Sequence, residues 1–488
     1  MVLHVLASVT TKYFPTQYTV HIVVAVASIY ALYAFSQGRK TNRERDLHAR
    51  VILITGGFTP LGLTLLQQLA ERGAHIIALT PFPVSSTGIS TIIDLLRSTT
   101  NNELIYAEQC DLDSPASIQA FSKRFLKGDD KRLDALVFAH EYETLGTFRI
   151  VSKQGAKEIQ EQRDRRSLAT FLLTTLLLPC LLTAPAERDI RIINVVNRFY
   201  AAAAAVPNPA SFYSNLFPTF TEPSEDNPPP PKASSSLFYQ EGLRSLRIII
   251  LTRHLQRILD ALPSAQMPKA QAGSTSVPVV SAKSQKSNIV AVTVSPGISR
   301  SDTLGRMLGI GTADRILWVG LLIYITFYPV VRILTKAPFS SIQSILHVLF
   351  LPTPFKLLST SVSKEEKTTD SLIDKSVTEV PEEVLKPGAL YAECASVVGL
   401  KVPPPPMPDE KDEKVDEKGK GKAKEEEGRS LPRDNEFGGE IAGTLVWEAY
   451  ETALKLWEKA NPTLAEFEKG AGTCREGGSE QVFLGKRT

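Results

Sequence analysis

The stretch Val51 to Ala78, VILITGGFTPLGLTLLQQLAERGAHIIA, constrains the fold more than any other part of the chain. Its first residues, Val51 to Ile54, are all apolar, the pattern of a strand buried on both faces of a parallel sheet. A turn containing Thr55, Gly56 and Gly57 follows at once. From Leu61 the residues Leu61, Leu65, Leu66 and Leu69 recur at helical spacing, and Gly73 stops that helix before a second strand, His75 to Leu79. The unit is βαβ. Its turn aims backbone N–H groups and the positive end of a helix at one point, where Gly56 and Gly62 let an anionic group approach closely. The turn is a weak signal taken alone, because a βαβ unit without a ligand carries the same pattern.

The rhythm continues downstream. Ile92 to Leu96 reads as helix, Leu104 to Ala107 as a strand running into Cys110, Asp111 and Leu112, Ala116 to Phe125 as helix and Leu133 to Ala139 as a buried strand. Leu168 to Leu182 is an apolar helix, Ile190 to Val196 a strand, Leu246 to Leu262 a helix carrying Arg253 and Arg257, and Asn288 to Val294 a further strand. Strands that alternate with helices predict an α/β fold with a doubly wound parallel sheet, helices covering both faces.

Other stretches break the rhythm. Residues 18–36 are almost wholly apolar and uncharged, approach the roughly 20 residues that span a bilayer, and are followed by Arg39, Lys40, Arg43, Arg45 and Arg50. That order predicts a transmembrane anchor, after an N-terminal segment of residues 1–17, with the bulk of the protein in the cytosol; a cleaved signal peptide has its basic residues before the apolar run. Residues 207–236 and 264–287, rich in Pro, Ser and Ala, read as surface insertions. Residues 403–435 carry mixed charge with almost no apolar side chains and read as a disordered linker. It precedes a helix over 441–460 that docks on the domain and a tail, 461–488. Residues 316–351 are apolar again, with Pro329 and Arg332 arguing for a helix against the membrane rather than a second span. A net charge of +3 gives no support for a nucleic-acid partner. Four scattered cysteines and seven histidines without HExxH spacing suggest neither a disulfide scaffold nor a metal site.

In this order of elements the chain resembles a short-chain dehydrogenase/reductase of the retinol-dehydrogenase type, over roughly 49–400 plus the last helix. The family's TGxxxGxG is matched by Thr55, Gly56, Pro60 and Gly62, with proline at the middle glycine; SPGISRS (Ser295, Pro296, Gly297, Ser301) resembles its PG segment, and LTKAPFSSIQ with GALYAE resembles its later motifs. The resemblance implies a Rossmann-like fold and a dinucleotide, NAD or NADP, held by Thr55, Gly56, Gly57, Gly62, Asp111, Leu112, Pro296, Gly297 and Ser301. The second strand ends Leu79–Thr80–Pro81 with neither acid nor base, so the sequence does not choose between the two cofactors. It also implies a lipophilic carbonyl or alcohol substrate, a homodimer through the Leu246–Leu262 helix, and the endoplasmic reticulum as host membrane, with the mitochondrial outer membrane or lipid droplets as alternatives.

The family's chemistry rests on a tyrosine acid/base, a lysine four residues later that lowers its pKa, a serine and an asparagine. Tyrosine and lysine one turn apart share a helix face, so the cation stabilises the phenolate. Here no tyrosine has lysine four residues on. Alignment places Glu241 and Ser245 at the tyrosine and lysine positions, Asn197 at the serine and Arg166 near the asparagine, while the family's NNAG becomes Phe138, Ala139, His140, Glu141. Tyr239 is the nearest catalytic candidate. Two functions follow from the sequence: an NAD(P)-dependent oxidoreductase, or a catalytically inactive, membrane-tethered nucleotide- or lipid-binding module.

Overall fold

The computed structural model describes residues 19–128, 132–143, 153–185, 188–204, 212–213, 216–220, 237–266, 287–310, 318–354, 383–405 and 434–461. α1 (Thr19–Gln37) precedes an alternation of β1 (Val51–Thr55), α2 (Pro60–Ala70), β2 (His75–Thr80), α3 (Thr87–Thr100), β3 (Ile105–Gln109), α4 (Pro115–Lys127) and β4 (Ala135–Phe138). A short α5 (His140–Glu143) leads to α6 (Lys153–Leu182), β5 (Ile190–Val195), α7 (Tyr200–Ala204), α8 (Leu237–Gln266) and β6 (Ile289–Ser295). A π-helical turn, Arg300–Gly305, is followed by α9 (Trp318–Thr326), α10 (Tyr328–Leu334), α11 (Pro338–Phe350), β7 (Leu390–Ala392), β8 (Ala395–Ser396) and α12 (Gly439–Ala460).

The strands form one sheet in the order β3-β2-β1-β4-β5-β6-β7-β8, parallel throughout except for the last pair. Successive β1 side chains point to opposite faces, so Leu53 enters one apolar cluster with α4, α6, α8 and α12, while Ile52 and Ile54 enter a second with α2, α3 and α11. This is the doubly wound, Rossmann-like architecture that the alternation predicts. Strand order reverses between β1 and β4, the switch point above whose carboxyl ends such sheets bind ligands.

Differences from the sequence reading have local causes. α6 begins at Lys153, well before Leu168; its charged first half has no apolar stripe to advertise it and is held by buried ion pairs instead. Within the expected surface insertion 207–236, Phe212, Leu216 and Phe217 are buried in the core, so part of that stretch packs rather than projects; the rest of it lies largely outside the described residues. So do residues 1–17, most of 264–287, most of the linker 403–435 and nearly all of the tail 461–488. The helix proposed as a dimer face is covered by its own chain. α12 lies on α8, with Asp434 paired to Arg253 and Arg257 and Arg257 donating to the Gly439 carbonyl at 2.9 Å.

The 316–334 stretch splits at Phe327 into α9 and α10, with Pro329 in the first turn of α10, where its missing N–H costs nothing. Neither piece is long enough to cross a bilayer. Among the described residues two helices are: α1, almost wholly exposed, and Lys157–Leu182 within α6, mostly buried as a core helix. Gln37 fastens the end of α1 to the start of α11, donating to the Thr335 carbonyl at 3.1 Å and accepting from Ala337 N–H and the Ser340 hydroxyl at 3.1 and 3.0 Å.

Candidate dinucleotide cleft and catalytic region

The β1–α2 turn is tightly built. Gly56 has φ +70°, and a Cβ there would lie 2.7 Å from the backbone nitrogen of His140. A Cβ on Gly62 would lie 2.2 Å from the Gly56 carbonyl, and one on Gly57 would touch Leu66 and Ala78. Thr55 ends β1 with its hydroxyl 2.7 Å from His140 Nδ1. Thr59 caps α2, its hydroxyl accepting from Gly62 N–H at 3.0 Å, while Leu63 N–H donates to the Thr59 carbonyl at 2.7 Å. Pro60 has no N–H. The one remaining donor of the first turn, Leu61 N–H, is taken by Asp302 Oδ1 at 3.3 Å.

Asp302 is 1% exposed, and the hydroxyls of Ser299 and Ser301 donate to its other oxygen at 3.0 and 2.8 Å. Ser301, expected to help hold the dinucleotide, orients this carboxylate. The PG segment is closed in the same way. Tyr142 donates to the Gly297 carbonyl at 2.8 Å, accepts from Ser299 N–H at 3.0 Å and lies 2.9 Å from the Thr303 hydroxyl. Burial raises the pKa of its phenol. Lys336 Nζ donates to the Pro296 carbonyl at 3.0 Å. With every α2 first-turn donor engaged, a dinucleotide pyrophosphate would reach Leu61 N–H only by displacing Asp302.

Thr55, Gly56, Gly62, Pro296, Gly297 and Ser301 thus meet in one network at the carboxyl edge of the sheet, with Gly57 at its rim. Asp111 and Leu112 stand apart, beyond the end of β3. The Asp111 carboxylate accepts from Asp113 N–H at 3.0 Å, closing a local turn, and Leu112 packs on the core.

At the tetrad positions the structure builds an ion-pair cluster. Asn197, just past β5, donates to Glu241 Oε1 on α8 at 2.8 Å. Arg244 approaches the same oxygen at 2.5 Å and also donates to the Glu141 carbonyl, while Arg163 of α6 lies 3.5 Å from Glu241 Oε2. Arg247 pairs with Asp164 at 3.4 Å over the Phe217 ring. Glu241 is 0% exposed. Tyr239 lies in the first turn of α8, partly exposed; two residues from Glu241, it leaves the helix on a different face. Ser245 is buried beside the cluster.

His140 and Glu141 line the cluster's β4 side. Burial pulls the His140 pKa down to about 3, opposed by its bond to the Arg166 carbonyl. Burial also pushes Glu141 up to about 6, opposed chiefly by Arg244; Thr170 donates to Glu141 Oε1 at 2.5 Å. A carboxylate gripped by two guanidinium groups binds charge but has no phenol or ammonium partner with which to relay a proton. Among the described residues no group of His, Cys, Asp and Glu could hold a metal ion. Sequence reasoning passed over Asp302, Tyr142 and Arg163. For two of them a signal was present: Asp302 directly follows the PG-like segment, and Tyr142 directly follows the NNAG-like one.

No family model matches the chain. It is similar to an uncharacterized oxidoreductase of Schizosaccharomyces pombe, 25% identical over 339 residues that cover 69% of this chain and 79% of the relative. A second, from Saccharomyces cerevisiae, is 26% identical and covers 66% of this chain and 72% of the relative. Human retinol dehydrogenase 12 is 31% identical over 152 residues, 31% of this chain and 44% of that protein. A solved short chain dehydrogenase from Salmonella enterica has a TM-score of 0.38 at 13% identity, covering 72% of this chain and 99% of the other. The chain is thus akin in sequence to oxidoreductases, and over about a third of its length to retinol dehydrogenases, the type its motifs resemble.

Proposed function

We propose that this chain is a membrane-anchored oxidoreductase of the short-chain dehydrogenase/reductase type that uses NAD or NADP on a lipophilic carbonyl or alcohol. The observation that carries the reading is the β1–α2 turn at the switch point of a β3-β2-β1-β4-β5-β6 sheet, in a chain whose relatives are oxidoreductases. Support for the membrane comes from α1, apolar, exposed and followed by basic residues, and from the apolar faces of α9 and α10 beside it. An apolar surface next to the site suits a lipid-soluble substrate that enters from the bilayer. The cytosolic face of the endoplasmic reticulum is the membrane we assign.

One observation favours a second reading, an inactive nucleotide- or lipid-binding module: the Asn197–Glu241–Arg163–Arg244 cluster stands where a Tyr–Lys pair would work. The test is to purify the full chain in lipid nanodiscs and titrate NADH and NADPH, following thermal shift and then oxidation of the bound dinucleotide with retinal and long-chain aldehydes. Binding with turnover supports the oxidoreductase; binding without turnover selects the module. Absence of binding at millimolar dinucleotide, in the wild type and in Asp302→Asn alike, removes the first reading.

A further inference from the structure

We propose that Asp302 is a built-in stand-in for the pyrophosphate, so that the cleft is self-inhibited and opens only when the Arg300–Gly305 turn swings away. The inference rests on the dinucleotide reading above for the identity of the ligand, but on the structure alone for the closed state. The amide at the start of α2 points at the position where a β1–α2 turn binds phosphate. In this chain that position holds a carboxylate of the same sign, fully buried, bonded to Leu61 N–H and held from behind by Ser299 and Ser301. A carboxylate at a helix N-terminus is stabilised by the helix dipole and by the amide it accepts from. Pyrophosphate and Asp302 therefore compete for one donor, and each repels the other.

The plug belongs to a segment suited to move. Arg300–Gly305 is a π-helical turn, a winding that is rare and usually confined to single turns. Its entry is pinned: Arg300 N–H donates to the Lys336 carbonyl and Lys336 N–H to the Ile298 carbonyl, both at 3.0 Å. Its body is held to the rest of the site mainly by Asp302–Leu61, by Tyr142 against Thr303, and by Arg306 paired with Glu143. Breaking these frees the turn while the PG segment stays in place.

The experiment uses the full chain in nanodiscs, wild type and Asp302→Asn, with NADH, NADPH, ADP and inorganic pyrophosphate as probes. Asp302→Asn keeps the volume and removes the charge. Dinucleotide binding at least about tenfold tighter in Asp302→Asn than in wild type, the fold-change of one charge-assisted bond, supports both the stand-in and the oxidoreductase reading. A pyrophosphate- or ADP-induced rise in Tm confined to Asp302→Asn, with no dinucleotide binding in either protein, supports the stand-in and rejects that reading. Equal response of the two proteins to every probe overturns the stand-in. If Asp302→Asn is not recovered folded, hydrogen exchange of the wild type with millimolar ADP or pyrophosphate decides. Faster exchange across Arg300–Gly305 supports the proposal, and unchanged exchange overturns it.

Discussion

Asn197 donates to Glu241 across 2.8 Å, tying the carboxyl end of β5 to the helix α8 at the place where the resembling family joins its serine to its tyrosine. The two positions are neighbours, and their chemistry here is that of an ion pair. Glu241 answers Arg163 and Arg244, so that its carboxylate neutralises buried charge.

Removing that carboxylate leaves two guanidinium groups, each at most 3% exposed, without their shared counter-ion. Glu241→Gln should lower unfolding stability by about 3–5 kcal/mol, the cost of breaking a buried ion pair from one side. Tyr239→Phe should change stability by no more than about 1 kcal/mol and leave any turnover intact. Urea denaturation of both variants checks the contrast. Equal, small effects would mean that the cluster is solvated and not structural.

The β1–α2 turn makes a steric prediction. Gly62→Ala drives a methyl group into the Gly56 carbonyl, 2.2 Å from the new Cβ, with the Gly57 carbonyl at 2.7 Å. Backbone cannot yield as a flexible side chain does, so a loss of about 2–4 kcal/mol is expected, within the range of overpacking plus backbone strain. Gly88→Ala is the control, since a Cβ there meets nothing within 4 Å. A thermal melt in which Gly62→Ala behaves like Gly88→Ala would contradict the packing.

Acid should act on two adjacent residues in opposite directions. The folded pKa of His140 lies near 3, below its ordinary 6.5, so the unfolded chain takes up the proton first and stability falls as pH drops below about 6.5. Glu141 lies near 6, above 4.5, so its folded form holds the proton more tightly and stability gained on acidification through pH 6 is lost again as pH rises. Between pH 7 and pH 5 the histidine costs about 2 kcal/mol and the glutamate returns about 1 kcal/mol. His254, pulled down to about 4 by burial, loses stability over the same range, so the effect of His140 shows as a difference: His140→Gln should lose about 2 kcal/mol less than the wild type between pH 7 and pH 5, as equilibrium unfolding of both proteins at the two pH values will show.

Much of the sheet was legible because its strands are short, apolar and spaced by amphipathic helices: Val51–Thr55, Ile190–Val195 and Ile289–Ser295 are each buried along their whole length. β7 and β8 escaped notice, since strands of three and two residues carry no period to read. The site was only half legible. Gly56, Gly62 and the PG segment announced a turn and a neighbour to it, because glycine there answers a local backbone demand. Asp302, Arg163 and Arg244 act through contacts between residues 78 to 241 positions apart, and no local spacing encodes which carboxylate meets which donor.

The membrane reading makes a prediction that separates α1 from the apolar pair α9–α10. Trp318, Val319, Leu322 and Ile325 expose 79%, 72%, 66% and 64% of their surface on a helix tethered, through Thr335, to the end of α1. If α1 alone met the bilayer, deleting residues 1–36 would release the protein. If α9 also lies in the interface, its side chains, each worth about 1.5–3 kcal/mol on burial, retain the truncated chain. The expected pattern is that the full chain resists carbonate extraction, the truncated chain pellets with membranes at neutral pH but yields to carbonate, and truncation combined with Trp318→Asp, Leu322→Asp and Ile325→Asp is soluble. Fractionation of the truncated chain wholly into the supernatant at neutral pH would confine the membrane contact to α1 and leave α9 to cover some other apolar partner.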